Sequence, residues 1–204
     1  MMPHKNRGYG AVKAFFVQMR ISLTAVLSLA FLVCGVYPLL VWAAGQTLFP
    51  HEAGGSLVRV GGSVAGSSLI GQGFTGADYF HPRPSAAGSG YDAAASGGSN
   101  LGPTSRQLIE AVRSRIAAYR AENGLPADVP IPADAVTASA SGLDPHISVP
   151  NALNQARRVA RARGIAEEAL RERIAARTEG RTFGIFGEPR VNVLMLNLDL
   201  DPKR

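Results

Sequence analysis

The sequence predicts an α+β protein: one N-terminal transmembrane helix, then a single extracytoplasmic mixed α/β domain with about three helices around a central C-terminal strand. Three observations carry this expectation. Residues 21–49 contain no charged side chain and centre on the run Leu-Ala-Phe-Leu-Val-Cys-Gly-Val-Tyr-Pro-Leu-Leu-Val-Trp. Beyond it, three stretches place apolar residues at helical spacing between Gly- and Pro-rich connections. The last stretch, residues 191–200, alternates leucine with other residues in the manner of a strand.

The apolar run divides the chain into a basic tail (1–20), a span (21–45) and a polar domain (46–204). As a helix, residues 21–44 reach roughly 36 Å, more than the roughly 30 Å hydrocarbon core of a bilayer. A cleaved secretory signal is the rival reading. The run exceeds the usual signal core, however, and the bulky Pro38, Leu39, Leu40 and Trp42 stand where small residues should precede cleavage. Within the span, Pro38 has no N–H to give the carbonyl of Cys34, so a kink or local irregularity is expected in its outer half. Tyr37 and Trp42 suit the membrane interface. Ala30, Cys34 and Gly35 form a small-residue face for another helix, so Ala30, Cys34 and Pro38 are the expected docking positions. Cys34 is the single cysteine, which excludes an intrachain disulfide.

Charge sets the orientation and excludes one class of function. Lys5, Arg7, Lys13 and Arg20 precede the span, and no acidic residue does. This bias predicts a cytoplasmic N-terminus and a domain on the outer side, periplasmic in a bacterium. Four of the 21 basic residues lie ahead of the span, so 17 face 15 acidic ones beyond it. The formal charge of +6 is therefore mostly a property of the tail, and the domain lacks a nucleic-acid footprint.

Taken in order, the domain opens with a Gly/Ser-rich segment in which residues 57–60 and 68–70 predict two short strands. The stretch 62–72 lacks the lysine of a phosphate-binding P-loop. Residues 74–85, with Pro82 and Pro84 around Arg83, predict a rigid packed loop, and 86–103 a long Gly/Ala/Ser connection. Thr104 and Gln107 resemble a capping box ahead of a helix with Leu108, Ile109, Val112, Ile116 and Tyr119 on one face, stopped by Gly124.

Residues 137–148 are the most chemically suggestive, since Ser141, Asp144 and His146 are the residue types of a catalytic triad. Their closeness in sequence and the lack of a Gly-x-Ser-x-Gly elbow favour a tight turn begun by Asp144-Pro145, with Ser148 capping the next helix. Two helices follow, joined at Gly164, their arginines reading as solvated and salt-bridged faces. Residues 191–200 then predict the central strand, with 182–186 pairing beside it. The four scattered histidines offer no metal-ligand spacing.

Several ordered motifs resemble one family. Gly-Ser-Ser-Leu-Ile-Gly-Gln (66–72), Tyr-Phe-His-Pro-Arg-Pro-Ser (79–85), Gly-Gly-Ser-Asn-Leu-Gly-Pro (97–103), Ser-Ala-Ser-Gly-Leu-Asp-Pro-His-Ile-Ser (139–148) and Gly-Glu-Pro-Arg-Val-Asn-Val-Leu-Met-Leu-Asn (187–197) are similar to the C subunit of the Kdp potassium-transporting ATPase. The resemblance implies a non-catalytic accessory subunit of a high-affinity potassium uptake pump in the bacterial inner membrane. Its implied partners are the potassium-binding A subunit, the ATPase B subunit and the small F subunit, besides membrane lipid. It also implies a catalytic chaperone that raises the ATP affinity of the B subunit. ATP and potassium would be handled by the complex, with no cofactor or metal bound by this chain alone. Ser68, Gln72, Tyr79, Arg83, Ser85, Asn100, Ser141, Asp144, His146, Arg190 and Asn192 are the motif positions expected to contact partners or hold the structure. An outer domain cannot touch cytoplasmic ATP directly, so a brace over the outer mouth of the potassium-conducting subunit is the mechanism this topology allows. A periplasmic hydrolase using Ser141 and His146, and a secreted binding module, are the alternatives.

Overall fold

A computed structural model describes residues 7–201. They fall into two units that divide between Gly55 and Ser56.

The first unit is a long apolar helix interrupted once. Helix α1 (Arg7–Ala30) passes into a π-helical turn (Phe31–Val36), then α2 (Tyr37–Leu48), and a short α3 (Pro50–Ala53) ends the unit. Residues Gly10–Leu48 form the one described helix long and apolar enough to cross a membrane. The irregularity expected from Pro38 lies in the turns just before it. The N–H of Tyr37 reaches back to Leu32 O, five residues away, so the chain widens where proline cannot continue the α ladder. Ala30 closes α1 and Cys34 sits in the widened turn, with Pro38 entering α2.

The second unit begins with an antiparallel hairpin, β1 (Leu57–Val60) and β2 (Ser63–Ser67). The second strand was expected at 68–70. It forms earlier because Gly61 and Gly62, at φ 57° and 86°, make the two-residue left-handed turn that fixes hairpin register. A long irregular stretch leads to α4 (Arg106–Asn123). Its N-cap is Ser105 rather than Thr104, with the Ser105 hydroxyl accepting from Leu108 N–H at 3.4 Å, and Gly124 ends it in the left-handed region as expected. After a 3₁₀ turn (Ala133–Ala135) come β3 (His146–Ser148), α5 (Val149–Arg163) and α6 (Glu167–Ala176). Ser148 caps α5, accepting from Asn151 N–H at 3.2 Å, and Gly164 closes it.

The remaining elements are β4 (Thr178–Glu179), β5 (Arg190–Asn192) and α7 (Val193–Leu200). Strand β5 is central in a three-stranded antiparallel sheet of order β3-β5-β4. The C-terminal strand is thus central but only three residues long, and 193–200 is a helix, correcting the expectation of a strand over 191–200. Asn192 starts the helix by accepting from Met195 N–H at 3.1 Å. Its buried positions, Val193, Leu194, Leu196, Asn197 and Leu200, recur at three- and four-residue steps. Leucine and methionine favour helix intrinsically, so the alternation read as a strand was compatible with both periods. Residues 182–186 do not pair beside β5 either. Thr182 and Phe186 bridge to each other, and Thr178–Glu179 takes the place beside β5.

The core packs α5, α6, β5 and α7 around Ile147, Ala156, Val159, Leu170, Ile174, Val191 and Leu196, and Phe80 from the 74–85 loop completes it.

Candidate functional site

The polar centre of the second unit is assembled by loops that regular structure does not hold. Phe80 is fully buried, and its backbone is gripped by the side-chain amide of Asn197 on α7. Asn197 Oδ1 accepts from Phe80 N–H at 2.8 Å, and its Nδ2 donates to Phe80 O at 2.9 Å. Gln155 on α5 repeats the arrangement one residue on, accepting from His81 N–H at 2.7 Å and donating to His81 O at 3.0 Å. Two buried amides therefore substitute for the ladder a neighbouring strand would supply, as buried backbone groups require. Arg158, desolvated by burial so that its pKa falls even beside Glu122, donates to the carbonyls of Ala77 and Tyr79 at 2.7 and 3.0 Å. The Tyr79 hydroxyl donates to Asp201 at 2.5 Å.

From this loop a line of basic and acidic side chains runs to the sheet. Arg83 Nη1 donates to Asp144 Oδ2 at 2.8 Å. Asp144 Oδ1 accepts from His146 N–H at 3.0 Å and lies 3.5 Å from the same residue's Nδ1. His146 Nε2 is 3.6 Å from Glu179 Oε2, to which Arg190 Nε donates at 3.0 Å. Arg83, Asp144, His146 and Arg190, four separate motif positions, thus share one ladder with Glu179. Burial would raise the Asp144 pKa, but the hydrogen bonds from His146 and Arg83 outweigh it and hold the carboxyl down at about 2.

Around the ladder the chain is packed backbone to backbone. Ser85 Oγ donates to Gly142 O at 2.7 Å and accepts from Tyr91 N–H at 2.8 Å. The Tyr91 hydroxyl, raised to about 12 by burial, donates to Arg83 O. Gly142 holds φ 67°, and a Cβ there would stand 2.6 Å from Ala87 N. A Cβ on Gly71 would stand 2.7 Å from Asp144 O. These close approaches explain the glycines in the two motifs that carry them.

The other expected positions are placed as follows. Ser68 O accepts from Asn192 Nδ2 at 2.7 Å, which ties the post-hairpin turn to the start of α7. Gln72 Nε2 donates to Ala65 O at 3.4 Å. Asn100 is exposed with φ 52°. Ser141 accepts from Leu143 N–H at 3.1 Å and lies 3.3 Å from the Ser139 hydroxyl, while both ring nitrogens of His146 face carboxylates. That geometry makes Ser141 a turn residue. Among the described residues no three His, Cys, Asp or Glu side chains gather as a metal site.

Sequence reasoning missed Asn197, Gln155, Asn151 and Asp134. Asp134 accepts from Ser148 N–H, Ser148 Oγ and Asn151 Nδ2, each at 2.8 Å, joining β3 and α5 to the 3₁₀ turn. For Asn151 and Gln155 the available signal was a pair of amides, four residues apart, on the Ala/Val face of an amphipathic helix.

This places the chain in a class: an α+β domain behind one helix of membrane-spanning length, with its motif residues committed to bracing loops. Comparison with known proteins makes the class specific. The family model for the K⁺-transporting ATPase c chain, KdpC, matches residues 19–202. A potassium-transporting ATPase KdpC subunit from Nitratidesulfovibrio vulgaris is 58% identical over 184 residues, 90% of this chain and 93% of that protein. The Myxococcus xanthus KdpC subunit is 62% identical over 167 residues, 81% of this chain and 79% of that one. That of Mycobacterium tuberculosis H37Rv is 54% identical over 184 residues, 90% and 97% respectively. The chain belongs to the KdpC family, the c chain of the K⁺-transporting ATPase.

Proposed function

We propose that this chain is a non-catalytic accessory subunit of a bacterial potassium-uptake ATPase, anchored once in the inner membrane, with residues 46–204 in the periplasm. Its domain braces the outer mouth of the potassium-conducting A subunit, and its span packs among the helices of the complex, which also contains the ATPase B subunit and the small F subunit. The observation carrying this reading is the ladder from Arg83 to Arg190 with the Phe80 clamp beside it. Most of the motif side chains are occupied within the domain, with one another or with its backbone, which makes it a preformed body suited to docking. The basic residues ahead of the span and none acidic support the outer location. A subunit so placed acts on the ATP affinity of the B subunit through the assembly, not through a nucleotide site of its own.

A topology reporter fused after Arg204 tests the placement. Activity characteristic of the periplasm is expected, and a cytoplasmic signal would overturn both the orientation and the brace.

A further inference from the structure

The connection between β4 and β5 carries apolar side chains that nothing in its own domain covers. Phe183, Ile185 and Phe186 are 87%, 71% and 65% exposed. The loop is ordered by its own bonds. Thr182 N–H donates to Phe186 O at 2.9 Å, Phe186 N–H to Thr182 O at 3.0 Å, and Gly184 N–H to Arg181 O at 2.9 Å. At its base Arg181 Nη2 donates to both carboxylate oxygens of Glu188, at 2.8 and 2.7 Å. Gly184 and Gly187 take left-handed backbone at φ 74° and 77°, which suits glycine, but Phe183 does so too, at φ 55°. A phenylalanine held in a region that disfavours it, with its ring in solvent, is poorly explained by the stability of the domain.

We propose that residues 181–188 are an anchor that inserts into an apolar pocket on another subunit of the potassium-transporting ATPase. The inference rests on the accessory-subunit reading above. Charge favours a protein pocket over a lipid surface. Arg181 and Glu188 are the only charged residues of the loop and neutralise each other, and Arg190 beyond them is paired with Glu179. The tip thus offers anionic headgroups no uncommitted cation, and it has no Trp or Tyr for the membrane interface. An apolar centre with a neutral, self-paired polar rim is the anatomy of a protein–protein contact. Three side chains supply only part of the roughly 800 Å² per partner that a stable interface buries, so the loop is the anchor of a larger contact.

Two measurements on the full-length chain in the assembled complex test this. A photo-reactive benzophenone amino acid at position 183 should cross-link to one other ATPase subunit. Cross-linking to lipid, or only to a second copy of this chain, would overturn the proposal. The variant Phe183→Gly keeps the backbone conformation, since glycine accepts that φ, and removes the ring. Its association with the complex should weaken about thirty-fold, the effect of losing a hot-spot residue, while the melting temperature of its domain stays at or above that of the wild type. Association equal to wild type would sink the anchor and leave the accessory-subunit reading standing. If the wild-type chain itself retained no ATPase subunit, that reading would fall and the anchor with it.

Discussion

Replacing Asn197 with leucine keeps the branching at Cγ but removes both hydrogen bonds that grip Phe80. Phe80 is 0% exposed and Asn197 1%, so no water reaches the freed groups to compensate. One buried N–H and one buried carbonyl lose their partner, each at about 1–3 kcal/mol, so a loss of about 3 kcal/mol is expected. In a domain of this size each kcal/mol moves the melting temperature by about 2–4 °C, which predicts a fall of about 6–12 °C. Differential scanning calorimetry of the full-length chain in detergent measures it. Asn197→Asp keeps an acceptor for Phe80 N–H but sets an anionic oxygen against the Phe80 carbonyl in a buried site, so at pH 7 a fall at least as large is expected. A Leu variant melting within about 2 °C of wild type, under one kcal/mol by the same relation, would refute the claim that this amide holds the 74–85 loop in the core.

Three further outcomes follow from the same geometry. Asp144 titrates at about 2 in the folded chain against an ordinary 3.8, so its stabilisation is full above the unfolded value and is lost as pH falls from about 4 toward 2; with its partial exposure this is worth about 1–2 kcal/mol. Asp144→Asn should lose that amount at pH 7 and show a shallower acid limb in pH-dependent unfolding. Gly142→Ala places a Cβ 2.6 Å from Ala87 N at φ 67°, so chemical denaturation should show a loss of about 2–4 kcal/mol, from left-handed strain and backbone overlap together. Pro38→Ala restores an N–H donor and should return residues 31–36 to regular α-helix, visible as changed amide shifts of that turn by NMR in micelles; an unchanged π turn would mean that proline is not its cause.

What could be read from the sequence, and what could not, divides along physical lines. The span, the helices at 106–123 and 149–163 and their glycine stops were legible because apolar period and capping are local signals. Ser148 was recognised as a cap for the same reason. Strand β5 was placed centrally but extended too far, because leucines at every second position fit either period and only the Asn192 cap decides between them. The second hairpin strand was misplaced because the Gly61-Gly62 turn signal was passed over in favour of the apolar pair at 69–70. The site was legible as a set of motifs but not as a network. That Arg83, Asp144, His146 and Arg190 meet depends on loop closures of tens of residues, which spacing does not encode. Asn197 and Gln155 were passed over because they grip the backbone of Phe80 and His81, whose place beside them is set by loop closure and not by local pattern.

A chain that serves as a subunit of a potassium pump and does no chemistry alone is known by its company in the membrane. Affinity purification of the full-length chain from mild detergent extracts of its native membrane, with the composition read by mass spectrometry, should yield the subunits of one potassium-transporting ATPase in fixed ratio and potassium-dependent ATP hydrolysis that persists when Ser141 or His146 is replaced by alanine. Recovery of the chain by itself would show that it is not a pump subunit.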